Sequence, residues 1–283
     1  MKTKIVYSEK CLGYGTWHIE GPQRVKVAHD ILQSKGYEIL EPALADDWEL
    51  LSVHDADYLF NVKKGLVEDS DTPAYDRIFD YARLSAGGAI LASKINGFSL
   101  MRPPGHHAGK FGAALGSSTR GFCYLNNIAI AVKDSGKSTL ILDIDGHHGN
   151  GTQEIFQGDQ KITYVSLHQS PNYPGTGNFT EGNCINFALQ ANIGGKEYLQ
   201  ILNKALNMVD LEKFEAVAVS AGFDTHLGDL ASLGLVEQDY FEIGRKIASL
   251  KKPAFFVLEG GYVGENIGRD IDSLLRGYQE NLK

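Results

Sequence analysis

The sequence is poor in cysteine and tryptophan, with three and two in 283 residues, and short of positive charge, with 27 lysines and arginines against 35 acidic residues. Each shortage excludes something. Cys11, Cys123 and Cys184 lie far apart and form no CxxC pair. That rules out a disulfide scaffold or a cysteine-rich zinc site and suits a reducing compartment. The net charge of −8 leaves no basic stripe for phosphates, which argues against a nucleic-acid partner. No apolar stretch approaches the length of a membrane span, and the apolar run in the opening MKTKIVYSEKCLGYG is too brief for a signal peptide. No repeat, low-complexity tract or Pro/Ser-rich linker marks a boundary. The expectation is a cytoplasmic protein without membrane contact, one domain over residues 1–283.

What is present is alternation. Short β-rich runs occur at 4–7, 37–40, 98–101, 139–145, 162–168, 184–188, 216–220 and 254–258. Stretches with apolar spacing of three and four lie between most of them, predicting helices over 25–35, 78–96, 124–135, 196–211, 238–251 and 265–279. Gly36, Gly97 and Gly136 are placed to cap the first three. This order predicts an α/β fold, a mostly parallel sheet with helices on both faces. Ligands of such sheets bind beyond the carboxyl ends of the strands. The polar clusters fall there: RPPGHHAG (102–109), DIDGHHGNG (143–151), SLHQS (166–170), SAGFD (220–224) and LEGGY (258–262).

Asp143, Asp145, His147 and His148 crowd the end of an otherwise apolar strand, and burying such groups is costly unless a cation or a reaction uses them. Asp145 and His147, two apart on a strand-like backbone, would point the same way. With Asp224 from another strand end they would give the three oxygen and nitrogen ligands of a catalytic zinc. His106 and His107 offer an imidazole to take a proton from water, and Asp143 and Asn150 could each accept a ring N–H and fix its tautomer. Tyr262, after Gly260 and Gly261, could donate to a developing oxyanion.

These pieces, with GFCYLNNIAI (121–130), DIDGHHGNGTQ (143–153) and PGTG (174–177), resemble in order the zinc-dependent histone deacetylases and acetylpolyamine amidohydrolases. The resemblance runs from about Gly15 to Tyr262 and implies the arginase–deacetylase fold, a parallel sheet of about eight strands. It implies that Asp145, His147 and Asp224 bind Zn2+. His107 would be general base and then acid, and His106, bonded to Asp143, would act electrostatically. Tyr262 would stabilise the tetrahedral state. Phe122 and Tyr173 would wall a narrow tunnel, with Gly121 and Gly260 beside the substrate. Arg24 would line an internal acetate-release region. A structural K+ would be held by Asp143, Asp145, His147, Ser166 and Leu167. By position in EDSDTPAY (68–75), Asp71 would grip a peptide backbone at the tunnel mouth.

Departures from the family pattern narrow the expectation. Asn150 replaces an Asp and looks like the class II members. Tyr173 stands where Phe is common, and His18-Ile19-Glu20 replaces His-Pro-Glu. Ala231 occupies the place, seven residues after the last zinc ligand, where polyamine-selective members carry Glu. The expected substrate is therefore an acylated lysine of a protein or peptide, with a small acetylated amine such as an acetylpolyamine as the alternative. An arginase-like binuclear hydrolase would need further carboxylates that Asn150 and Thr225-His226 do not supply. A non-catalytic acyl-lysine binding module would have lost the histidine pair or the tyrosine. His29 and His54 read as structural residues in helical stretches, His168 as a strand-end residue satisfying local backbone groups, His226 as either a loop residue or one at the pocket rim, and Gly87-Gly88 as a close-packing site.

Overall fold

The computed structural model describes residues 2–280. Ten strands occur in chain order: β1 (Ile5–Val6), β2 (Ile39–Leu40), β3 (Phe98–Ser99), β4 (Ala108–Gly109), β5 (Gly112–Ala113), β6 (Thr139–Asp143), β7 (Ile162–Gln169), β8 (Cys184–Leu189), β9 (Ala216–Ala221) and β10 (Ala254–Leu258). Eight of them form one sheet in the order β2-β1-β3-β10-β9-β6-β7-β8. Every neighbouring pair in it is parallel. All eight β-rich runs of the sequence are in this sheet. The antiparallel pair β4–β5, which apolar patterning does not reveal, folds the chain back just after His107.

The helices are α1 (Gln23–Ser34), α2 (Asp47–Leu51), α3 (Ala56–Lys63), α4 (Ile78–Ile95), α5 (Asn127–Ser135), α6 (Asn150–Phe156), α7 (Gly195–Asn207), α8 (Glu237–Ser249) and α9 (Gly264–Glu280). Alternate strand residues feed two cores. Leu140, Leu142, Val217, Val219 and Phe256 pack with α1, α7, α8 and α9. Ile141, Tyr164, Ala218, Phe255 and Val257 pack with α3, α4 and α5 on the other face. Both faces of the central strands are covered, which is why they read as unbroken apolar runs.

Several boundaries differ from the pattern reading. α4 ends on Asn96 in the left-handed region (φ 52°), so Asn96 and not Gly97 is the cap. α5 starts at Asn127, because the Asn126 side chain accepts the Ala129 N–H as an N-cap. α7 stops at Asn207, with a separate 3-10 turn at Leu211–Lys213. α2, α3 and α6 are too short for helical periodicity to show. Gly87 and Gly88 serve close packing as expected: a Cβ at Gly87 would collide with the Ala43 carbonyl, and one at Gly88 would lie 2.6 Å from Met101 Cγ.

Candidate active site

Four strand ends converge on one place. The backbone leaves β6 at Asp143, so Asp145 and His147 lie in the loop beyond it rather than on a strand. The strand-like alternation invoked for the pair is therefore not what aligns them. Backbone amides do it instead. Asp145 Oδ1 accepts the His147 N–H at 2.8 Å, and its Oδ2 accepts the Gly260 N–H at 2.7 Å. Asp224, in the loop after β9, accepts the Gly146 N–H on Oδ1 at 2.8 Å. Its Oδ2 lies 2.7 Å from His147 Nδ1 and has no hydrogen-bond donor, although Asp224 is fully buried. Donor atoms of Asp145, His147 and Asp224 all fall within 4.8 Å of one another, the one such group found among the described residues.

Two buried carboxylates here face one buried imidazole, that of His147. Burial alone would lower its pKa, but the Asp224 and Asp145 carboxylates push it up to about 10. Burial, with the nearby Asp145 charge, drives Asp224 upward to about 6. A divalent cation held here would offset the two carboxylates and meet Asp224 Oδ2, which accepts no hydrogen bond. Two carboxylates and one imidazole are a donor set for zinc. The residues fit the metal. Gly260 is required here, since a Cβ on it would stand 2.6 Å from both Asp145 Oδ2 and Asp224 Oδ2.

His106 and His107, on the loop that follows β3, are buried rather than solvent-facing. His106 Nδ1 pairs with Asp143 Oδ2 at 3.0 Å, and the Tyr164 hydroxyl donates to the same oxygen at 2.9 Å. His107 Nδ1 lies 2.8 Å from Asn150 Oδ1, whose amide Nδ2 donates to the Ala114 carbonyl at 2.9 Å. That second bond orients the amide, so His107 must donate through Nδ1, leaving Nε2 as an acceptor. Burial, with the neighbouring His106, holds His107 well below the ordinary histidine pKa. Asp143 and Asn150 are thus the side-chain partners of His106 Nδ1 and His107 Nδ1.

Around this floor stand aromatic rings. Tyr173 meets His107 edge-on at 5.0 Å between centroids, and Phe122 meets Tyr262 at 5.9 Å. The Tyr173 hydroxyl donates to the Thr119 carbonyl at 3.0 Å, so the departure from Phe leaves an apolar ring face beside His107. Gly121 sits against His107, where a Cβ would collide with the ring, and it and Phe122 both have positive φ, 51° and 69°. The Phe122 N–H donates to Thr72 Oγ1 at 3.0 Å, and Thr72 in turn donates to Asp71 Oδ1 at 2.7 Å. Asp71 is therefore linked through Thr72 to Phe122, and is half-buried.

Arg24 is in the first turn of α1, buried. Its Nε donates to the Gly261 carbonyl at 2.6 Å, it bonds the Glu259 carbonyl, and it pairs with Glu20 at 3.1 Å. Its guanidinium lies 5.2 Å from the Tyr262 ring centroid. Ser166 pairs in register with Asp143 across β6–β7, and Leu167 follows it, both fully buried. Ala231 is buried beside Gly146, where a Cβ added to the glycine would lie 2.6 Å away.

Pattern reading overlooked some residues here. His54 is in a turn, not a helix. It accepts the Asn126 N–H at 2.8 Å and bonds the Gly109 carbonyl at 3.0 Å, and burial pushes it down to about 4. His29 is on α1 but buried, stacked on Tyr7 at 4.2 Å. His168 bonds Ser166 Oγ and the Gly177 carbonyl, as a structural residue would. His226 pairs with Asp270 of α9 at 2.7 Å. Tyr164 was hidden within a strand-like run, and Glu259, although inside the LEGGY cluster, was passed over because its partners at Gly105 and His106 are distant in sequence.

Comparison with known proteins gives a consistent picture. The histone deacetylase domain family matches residues 18–278. A probable deacetylase of Archaeoglobus fulgidus is 36% identical over 299 residues, covering 93% of this chain and 82% of that protein. Acetylpolyamine amidohydrolase 1 of Pseudomonas aeruginosa is 36% identical over 200 residues, covering 64% of this chain and 55% of its own. The crystal structure of the HDA15 HD domain superposes with a TM-score of 0.86 at 29% identity, covering 100% of this chain and 94% of that one.

Proposed function

The chain belongs to the histone deacetylase domain family, and from that premise we propose that it is a zinc-dependent deacetylase that removes acetyl or related acyl groups from acylated lysines of proteins or peptides. The observation that carries the reading is the buried His107, its Nδ1 tied to Asn150, at the same floor as the Asp145–His147–Asp224 group. An arginase-like binuclear centre lacks ligands: Asn150 is taken by His107 and Ala114, and His226 by Asp270. A purely binding module has no use for a histidine held as a base.

Zinc held by Asp145, His147 and Asp224 would supply Lewis-acid polarisation of the amide carbonyl and lower the pKa of water, to roughly 7 in favourable sites. His107 then accepts the proton of the attacking water and passes it to the departing amine. His106, with its proton stabilised by Asp143, contributes positive charge. The Tyr262 hydroxyl donates to the oxygen that gains negative charge. Phe122 and Tyr173 wall the path of the acyl-amine chain, with Gly121 and Gly260 leaving room for it. Arg24 lines the inner end, where acetate departs. A structural potassium at Asp143, Asp145, His147, Ser166 and Leu167 belongs to the same reading. So do a single deacetylase domain and a cytoplasmic location, which accords with three buried, unpaired cysteines. Among the described residues no helix is long and apolar enough to cross a membrane.

Relatives named for acetylpolyamines make those substrates the alternative. The buried methyl of Ala231, in place of a carboxylate, favours lysine. The test is kcat/KM of the zinc-loaded protein on an acyl-lysine peptide panel and on acetylputrescine and acetylspermidine. Peptides should be the better substrates. Acetylpolyamines ahead by tenfold, about 1.4 kcal/mol in transition-state binding, would replace the lysine reading.

A further inference from the structure

We propose that Glu259 is the positioning residue of the His106–His107 pair, acting through the one oxygen that accepts the amides of Gly105 and His106. Glu259 follows β10 and is fully buried. Its Oε2 accepts the Gly105 N–H at 2.7 Å and the His106 N–H at 3.1 Å. The His106 carbonyl accepts the Thr152 N–H at 3.0 Å, so the His106 backbone is gripped on both sides. Without the Glu259 oxygen two buried amides would lose their acceptor, and the loop would shift to find another.

The place of Glu259 in the chain gives this grip its consequence. Its neighbour Gly260 donates to Asp145 Oδ2 at 2.7 Å. Its own N–H is fixed to the Ala221 carbonyl at 3.1 Å, on the strand that leads to Asp224. One short stretch therefore sets the imidazole pair against Asp145 and Asp224, and Tyr262 lies three residues beyond Glu259. The other oxygen, Oε1, has no partner. Only the acceptor on Oε2 does the positioning; the negative charge is not needed for it. Burial in fact pushes this carboxyl up to about 7.

Reach and charge can be separated by two conservative variants. Glu259→Gln keeps the reach and an acceptor oxygen but removes the charge. Glu259→Asp keeps the charge and withdraws the oxygen by about one C–C bond, roughly 1.5 Å. A misplacement of about 1 Å can cost a hundredfold in rate. The proposal, which rests on reading His106 and His107 as the proton-handling pair, expects the Gln variant to keep kcat within about fivefold. The Asp variant should lose about a hundredfold in kcat, with KM and bound zinc per chain unchanged. An Asp variant as active as the Gln variant, or zinc lost from either, overturns it. A second readout does not need turnover: histidine imidazole signals by NMR should match the wild type in the Gln variant and move in the Asp variant. The reverse pattern overturns the proposal. If the wild type hydrolyses no acylamine, the deacetylase reading fails, and the imidazole signals alone decide the role of Glu259.

Discussion

The floor of the site and its rim are built in different ways. On the floor, Asp145, Asp224, His106 and His107 are buried and held by backbone amides, a buried amide side chain or a buried carboxylate. Such groups have no alternative partners, and moving any of them leaves a buried donor or acceptor unmet. At the rim, Asp71, Phe122, Tyr173 and Tyr262 are only partly buried. Close to them Trp17 is fully exposed, beside His18, whose ring meets Phe122 at 4.8 Å. The floor is fixed for a reaction, while the rim retains the freedom to suit a substrate. Disturbing the floor should therefore abolish function, whereas disturbing the rim should change its selectivity.

The largest effect is expected at the floor. Asp224→Ala removes the orphaned oxygen that a cation would meet. Losing a merely supporting partner typically costs ten- to a hundredfold in metal affinity, and losing a ligand should cost more. Zinc per chain by elemental analysis should fall from one toward zero, with activity at background. Full zinc occupancy in that variant would separate the triad from the metal and break the comparison at its base. Tyr262, where floor and rim meet, should show an intermediate pattern. Its hydroxyl is assigned to the transition state, and removing such a donor costs about a hundred- to a thousandfold. Tyr262→Phe should keep zinc and KM while kcat falls by that amount; unchanged turnover would move the oxyanion donor elsewhere.

The same division governs what could be read from the sequence. The eight strands were legible because apolar runs bounded by polar clusters mark buried parallel strands. The floor was legible because Asp145, His147, Asp224 and the histidine pair are expensive residues at strand ends. What aligns them was not legible. Asp145 and His147 owe their positions to the Gly260 amide and a local turn, and Glu259 reaches across more than 150 residues of chain to Gly105. Periodicity carries no trace of such long-range bonds. α2, α3 and α6 escaped because one or two turns hold too few apolar positions to define a face. His54 was misplaced on a helix for a related reason: its partners, Gly109 and Asn126, are distant in sequence.

The smallest expected effect tests the rim itself. Asp71 has two duties that must be told apart. One oxygen accepts the Thr72 hydroxyl at 2.7 Å, and Thr72 in turn accepts the Phe122 N–H at 3.0 Å, with Phe122 at φ 69°. A residue held in that left-handed region needs its neighbours to keep it there. Asp71→Ala thus loosens the tunnel wall for every substrate. It also removes a carboxylate that could accept the backbone N–H groups of a bound peptide, and that loss affects peptides alone. The wall effect should cancel when the two substrate classes are compared in one variant. We expect Asp71→Ala to lower kcat/KM for an acyl-lysine peptide about tenfold more than for acetylputrescine, a differential of about 1.4 kcal/mol. Asp71→Asn, which keeps an acceptor for Thr72, should preserve the wall and lose only the charged part of the grip. An equal loss for both substrates would confine Asp71 to supporting Phe122, and the rim's preference for a polypeptide would have to come from another residue.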